Sequence, residues 1–228
     1  VGTDADPILM TGTEAVRGHW DGVALVNSAS DANVLDHVTI EYAGSEEILD
    51  AGAAPLRASL RLESSGFEVR AAIRNTTLRQ GSGYGLYLGG ESVLPEFSGN
   101  EITAHASGPV YVYAAEVHNL TATSSYAGND QDFVFVNGAY EFGDEPRAWE
   151  RLDVPYRVDG VFILYTHLTL EAGTRLEFTD ESGLRVINQL AGVTAVGTAG
   201  EPIVFTGVTA EPGAWNGLYF ANLNENGD

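Results

Sequence analysis

Apolar and polar residues alternate in short runs along the whole chain. The runs are GVALV (22–26), HVTIEY (37–42), SLRLE (59–63), GLYLG (85–89), PVYVY (109–113), DFVFV (132–136), PYRVD (155–159), GLRVI (183–187) and GLYFA (217–221). Each is short, rich in β-branched and aromatic residues, and bounded by Gly, Asn, Asp or Ser, which is the strand pattern. No segment sustains an apolar period of 3.6, so the chain is expected to be all-β. Alternation along a strand assigns Leu60 with Leu62, Leu86 with Leu88, Val110 with Val112, Phe133 with Phe135, and Leu184 with Val186 to one inward face.

The spacing of the runs narrows the architecture. With Val23, Leu60, Leu86, Val110, Phe133, Tyr156, Leu184 and Leu218 as the first inward residues, the steps are 37, 26, 24, 23, 23, 28 and 34 residues. Such steps are too long for hairpins. They suit a parallel solenoid in which three strands and three turns return the chain about 4.8 Å further along. This predicts one domain over 1–228, built of about eight coils. Asn75, Asn100 and Asn119 precede runs by one or two residues and are expected to stack as a turn ladder.

The chain also carries one stretch twice. Residues 1–33, from VGTDADPILMTG, recur at 196–228, from VGTAGEPIVFTG, at an offset of 195 that aligns Pro7 with Pro202, Gly12 with Gly207 and Trp20 with Trp215. The segments LTLEAGTRLEF (168–178), VTAVGTAGEPIVFTG (193–207), PGAWNGLYFAN (212–222) and VLDHVTIEYAG (34–44) resemble repeats of secreted bacterial right-handed parallel β-helix proteins of the pectate-lyase-like class. The resemblance implies a right-handed single-stranded parallel β-helix and an extracellular or cell-surface location. It covers enzymes and purely structural proteins alike, so activity has to rest on residues.

Composition narrows the chemistry. The 32 acidic residues outnumber the 11 basic ones, all Arg, for a net charge of −21, and there is no Cys. Such a surface repels phosphate backbones, so nucleic acid is not an expected partner. No apolar run approaches the roughly 18 residues that insert into a membrane.

Catalytic patterns are sparse. The five His are scattered without the i, i+2 or i, i+4 pairing of a zinc site. Glu63 and Asp159 share outward parity but stand four coils apart, about 19 Å at ~4.8 Å per coil, against the ~5–9.5 Å of glycosidase carboxyl pairs. No catalytic residue is assigned, and the chain is read as a non-enzyme.

Two binding patterns remain. Arg61, Tyr87, Tyr111, Tyr113, Val134, Arg157, Arg185 and Tyr219 would form one outward stripe, on which a glycan could stack and bond. Calcium is the candidate ion, through Asp130 and Asp132 in GNDQD and through Asn224, Asn226 and Asp228 in NENGD. The expected role is a structural or adhesive element that associates end to end or belongs to a longer array, with polysaccharide binding or degradation as the alternative.

Overall fold

The computed structural model describes residues 1–48, 56–138, 145–188 and 191–221. Among these residues the chain is nearly all β, with short strands and one 3-10 segment, Ala114–Asn119. Every strand ladder between them runs parallel. The strands Val34–Asp36, Val38–Glu41 and Ala58–Glu63 lie in three different sheets. Ala72–Arg74, Thr77–Arg79 and Tyr84–Leu88 pair with them in the same order, and Phe97–Ser98, Glu101–Thr103 and Gly108–Tyr113 with those. The longest sheet continues from Gly108–Tyr113 through Val134–Asn137, Tyr156–Asp159 and Arg175–Phe178 to Val204–Gly207.

The bends between sheets recur at stacked positions. His37 (φ 53°), Asn75 (φ 49°) and Gly99 (φ 63°) make one bend, and Tyr42 (φ 58°), Gln80 (φ 57°) and Ala104 (φ 58°) the next. A left-handed L-residue costs roughly 1–2 kcal/mol. The ladder carries on through the bend and offsets this: Asn75 N–H donates to the Ser98 carbonyl at 3.0 Å, and Gln80 N–H to the Thr103 carbonyl at 3.3 Å.

The inward residues of the long sheet form one core column. Leu60, Leu62, Leu86, Leu88, Val110, Val112, Val134, Val136, Val158, Leu176 and Phe178 are fully buried, each contributing about 1.5–3 kcal/mol of burial energy. Burial falls off in the outermost described strands. Ile8, Met10, Val23, Leu25 and Leu35 at one end, and Val193, Ile203 and Phe205 at the other, are only partly buried.

Three asparagines serve the backbone in one manner. Asn100 Oδ1 accepts from Thr76 N–H at 3.1 Å while its Nδ2 donates to the Ile73 carbonyl at 3.0 Å. Asn119 does the same with Leu94 N–H (3.1 Å) and the Ser92 carbonyl (3.2 Å). Asn129 does so with His105 N–H (3.0 Å) and the Ile102 carbonyl (3.0 Å). Each amide satisfies a donor and an acceptor that a bend takes out of the ladder. The expected column of Asn75, Asn100 and Asn119 does not form. Asn75 is the exposed left-handed bend residue, facing Gly99 and bonded to Asp36 at 3.0 Å; Asn100 sits one place further along its rung, and Asn119 closes the 3-10 segment.

The register differs from the sequence expectation in two places. Tyr111 pairs with Phe135, which puts Val134 and Val136 inward and Phe135 outward, stacked on Tyr111 at 4.9 Å. In DFVFV every position from 133 to 136 is apolar, so alternation alone leaves the parity open. The runs at 183–187 and 217–221 belong to a separate sheet, in the order Val161–Leu164, Gly183–Val186, Gly217–Phe220. The duplicated stretch therefore sits on different sheets. Ile8–Met10 and Val23–Val26 lie in the four- and eight-stranded sheets, whereas Val204–Gly207 and Gly217–Phe220 lie in the eight- and three-stranded ones. The two copies thus occupy different places in the sheets, although the local turn is copied: Asp6 N–H donates to Thr3 Oγ1 at 3.1 Å, and Glu201 N–H to Thr198 Oγ1 at 3.0 Å.

Candidate functional site

The outward face of the long sheet is the natural place to look for a glycan platform, and its aromatics are covered. Tyr87, Tyr111 and Tyr113 are 5%, 2% and 5% exposed. Tyr87 stacks on Tyr111 at 5.6 Å and 17°, Tyr111 stacks on Phe135, and Tyr84 meets Tyr111 edge-on at 5.6 Å. Ile48 and Leu56, joined by an antiparallel bridge, pack over them as a second apolar cluster. Burial pushes the Tyr84 hydroxyl well above its ordinary value. These three rings have no face open to a sugar, so at Tyr87, Tyr111 and Tyr113 the expected stripe is corrected to a second core.

Its arginines are engaged in the same way. Arg61 is buried between Glu46 and Glu63. Arg157 lies 3.6 Å over the Phe133 ring and pairs with Glu177 at 2.8 Å, with Arg175 on the other carboxylate oxygen at 3.0 Å. Burial opposes ionisation of Glu177, yet the two guanidinium groups hold its carboxyl below the usual range. Arg185 and Tyr219 are on the separate three-stranded sheet. Both are exposed, and with Val161, Gly183, Asn216 and Gly217 they line a groove of ≈ 380 Å³.

Of the candidate calcium ligands, Asp130 and Asp132 are each engaged within the chain. Asp130 is held by Arg17 through two bonds of 2.6 and 3.0 Å, which keeps its carboxyl below the ordinary range. Asp132 turns back to accept Asn129 N–H at 2.7 Å. Asn224, Asn226 and Asp228 lie outside the described residues. Among the described residues no three His, Asp or Glu side chains are placed to hold a metal ion. Glu63 and Asp159 are four ladder steps apart, and each has its own partner: Arg61 at 3.2 Å and Thr179 at 2.6 Å.

Among the described residues the most perturbed carboxyl is one to which the sequence pattern assigns no role. Glu116, on the 3-10 segment, is pushed up to about 7, chiefly by burial and against the pull of nearby Arg147. Asn119 Nδ2 donates to its Oε2 at 3.2 Å. His118 hydrogen-bonds the Ala115 carbonyl through Nδ1 at 2.9 Å, which leaves the Nε2 lone pair for Arg147 Nη1 at 3.3 Å. Burial and the guanidinium both lower the His118 pKa and favour this neutral tautomer. The group can hold a proton near neutrality. A signal existed: AAEVHN at 114–119 is the stretch where strand alternation stops.

His105 is the other unusual titratable side chain. It is fully buried, accepts Gly81 N–H at Nδ1 (3.2 Å), and is pushed down to about 4 mainly by desolvation. A Cβ on Gly81 would come within 2.5 Å of its ring, and one on Gly85 within 2.9 Å, so both glycines are needed for the slot. No protein-family model, curated protein or solved structure matches the chain.

Proposed function

We propose that the chain is a right-handed, single-stranded parallel β-helix serving as a structural module of a secreted or cell-surface protein. The fixed order in which three sheets are revisited supports the helix, and parallel crossovers within a sheet are right-handed in about 98% of cases. The observation that carries the structural role is where the charged groups go. Nine of the eleven arginines, Arg17, Arg57, Arg61, Arg70, Arg74, Arg79, Arg151, Arg157 and Arg175, are paired with carboxylates of the chain itself. Several pairs tie one coil to the next, as in Asp36–Arg74–Glu96, with contacts of 3.0 and 2.7 Å. Each exposed pair contributes only ~0.2–1 kcal/mol, but repeated along the stack they stiffen it. The acidic, lysine-free composition and the resemblance of the repeats support a location outside the cell.

The polysaccharide reading narrows to one place, the groove beside Arg185 and Tyr219. Assays for unsaturated uronates and new reducing ends across acidic and neutral polysaccharides test the structural role. No turnover is expected, and turnover abolished by Arg185→Ala would establish the alternative. An experimental structure showing a left-handed or divided stack would overturn the fold proposed here.

A further inference from the structure

The 3-10 segment Ala114–Asn119 stands where the stack changes its set of sheets. Among the described residues the long sheet alone has strands on both sides of it. The sheets ending at Phe97–Ser98 and Glu101–Thr103 lie wholly before it in sequence, and those starting at Arg147–Trp149 and Val161–Leu164 wholly after. The segment fills this junction. Ala114 and Val117, with Leu120 just beyond, are buried in the main core, and the segment packs against Ser92–Val93, Gly108–Tyr113, Val134–Asn137 and Arg147–Trp149. Side chains fasten it: Asn119 Oδ1 accepts from Leu94 N–H, and its Nδ2 donates to the Ser92 carbonyl.

Charged groups meet at the same junction. Arg147 pairs in register with the buried Leu168, so parity turns its side chain towards the core, and its Nε is buried without a hydrogen-bond partner. Its Nη1 is given to neutral His118. Glu116 feels the charges of Arg147 and of Glu91, whose backbone N–H bonds its carboxyl. The two long-sheet strands packed on the segment bring only the phenols of Tyr111 and Tyr113 and no charged side chain. An ionised Glu116 therefore lies among apolar groups, with a second carboxylate beside it and the Arg147 guanidinium committed to His118. Burying that charge costs far more than burying the neutral acid. Lifting a short segment with few anchors into water is the smallest motion that relieves it.

We propose that Ala114–Asn119 is a proton-held latch: while Glu116 carries its proton the segment stays seated in the junction, and loss of that proton lets it swing out as a unit while the long sheet stays folded. Opening withdraws Val117 and Leu120 from the core, frees Leu94 N–H from Asn119, and uncovers apolar surface at the middle of the stack. Because burial raises the Glu116 pKa when seated, the latch holds best below the ordinary carboxylate range and loosens as pH rises to about 7. His118, whose pKa is lowered when seated, favours opening on the acid side, and comparison of the wild type with Glu116→Gln cancels its effect. The device does not depend on the structural-module reading.

Amide hydrogen exchange of the full chain tests it, read at Leu94 and Leu120 and corrected for the intrinsic rate at each pH. At pH 4 the wild type and Glu116→Gln should protect these amides equally. By pH 7.5 the wild type is expected to have lost protection relative to the variant by a factor on the order of a hundred. Exchange at the two amides should depend only weakly on urea, whereas the amides of Ala58–Glu63 and Tyr156–Asp159 exchange through global unfolding and show the full dependence. Equal protection in both proteins at pH 7.5 overturns the proposal, as does greater protection in the wild type, which would mean that Arg147 crosses over to Glu116 and tightens the junction. The same urea dependence at Leu94 and Leu120 as in the long sheet overturns it too, since the segment would then open only with the whole fold. If Glu116→Gln does not fold, His118→Gln decides: with Glu116 titrating without His118, protection should fall about tenfold per pH unit between pH 5 and 7 and level off above. A flat profile there refutes the latch.

Discussion

Glu116 and His105 are predicted to oppose each other as the pH changes. His105 falls from 6.5 unfolded to about 4 folded, and Glu116 rises from 4.5 to about 7. At about 1.4 kcal/mol per pH unit, each difference corresponds to about 3 kcal/mol. The His105 contribution is present above pH 6.5 and is lost as pH falls towards 4, because the unfolded chain takes up the proton first. The Glu116 contribution is present below pH 4.5 and is lost as pH rises through 7, because the unfolded chain releases the proton first. Between 4.5 and 6.5 the two nearly cancel. Glu116→Gln keeps the side-chain shape and an acceptor for Asn119 but removes one of the titrations. Urea unfolding followed by tryptophan fluorescence, to which the buried Trp149 contributes, should show no difference from wild type at pH 4 and about 3 kcal/mol more stability in the variant at pH 7.5. Acid loss of stability from Asp36 and Glu177 is common to both proteins and drops out of the difference. A gap that is constant across the pH range, or a variant less stable at pH 7.5, would refute the account.

Two further substitutions separate structural roles from binding roles. Tyr111→Ala removes a ring buried in the second cluster and is expected to cost about 3–5 kcal/mol in chemical denaturation, whereas a surface binding residue would cost less than about 0.5 kcal/mol. Asn100→Ala leaves the Thr76 N–H and the Ile73 carbonyl buried without partners, at about 1–3 kcal/mol each, and should expose the Thr76 amide to hydrogen exchange. Asn75→Gly, at a left-handed bend, should change stability by less than about 1 kcal/mol, in contrast to Asn100→Ala.

The strands and the inward parity of Leu60, Leu86 and Val110 were legible because polar and apolar residues alternate cleanly there. Parity failed at 132–136, where Val and Phe are equally apolar and only cross-rung stacking on Tyr111 decides which face is which. Sheet membership failed at 183–187 and 217–221. Strands of different sheets carry the same alternation, and the separation of paired residues shortens from 24 between Leu86 and Val110 to 20 between Tyr156 and Leu176. The part of the glycan stripe at Tyr87, Tyr111 and Tyr113 failed for a related reason. Outward parity says that a side chain leaves the main core, not that it reaches water, and a covering segment 30–65 residues distant in sequence has no local signature at Tyr87 or Tyr111.

That covering cluster changes what the charged surface means. Once the outward tyrosines are a second core, Arg61 and Glu46 form the lid of a packed layer, and Arg157 with Phe133 and Glu177 continues it along the same face. The arginines of this face are consumed in holding the stack's own coat in place. Among the described residues the groove beside the exposed Arg185 and Tyr219 stays open on a different sheet.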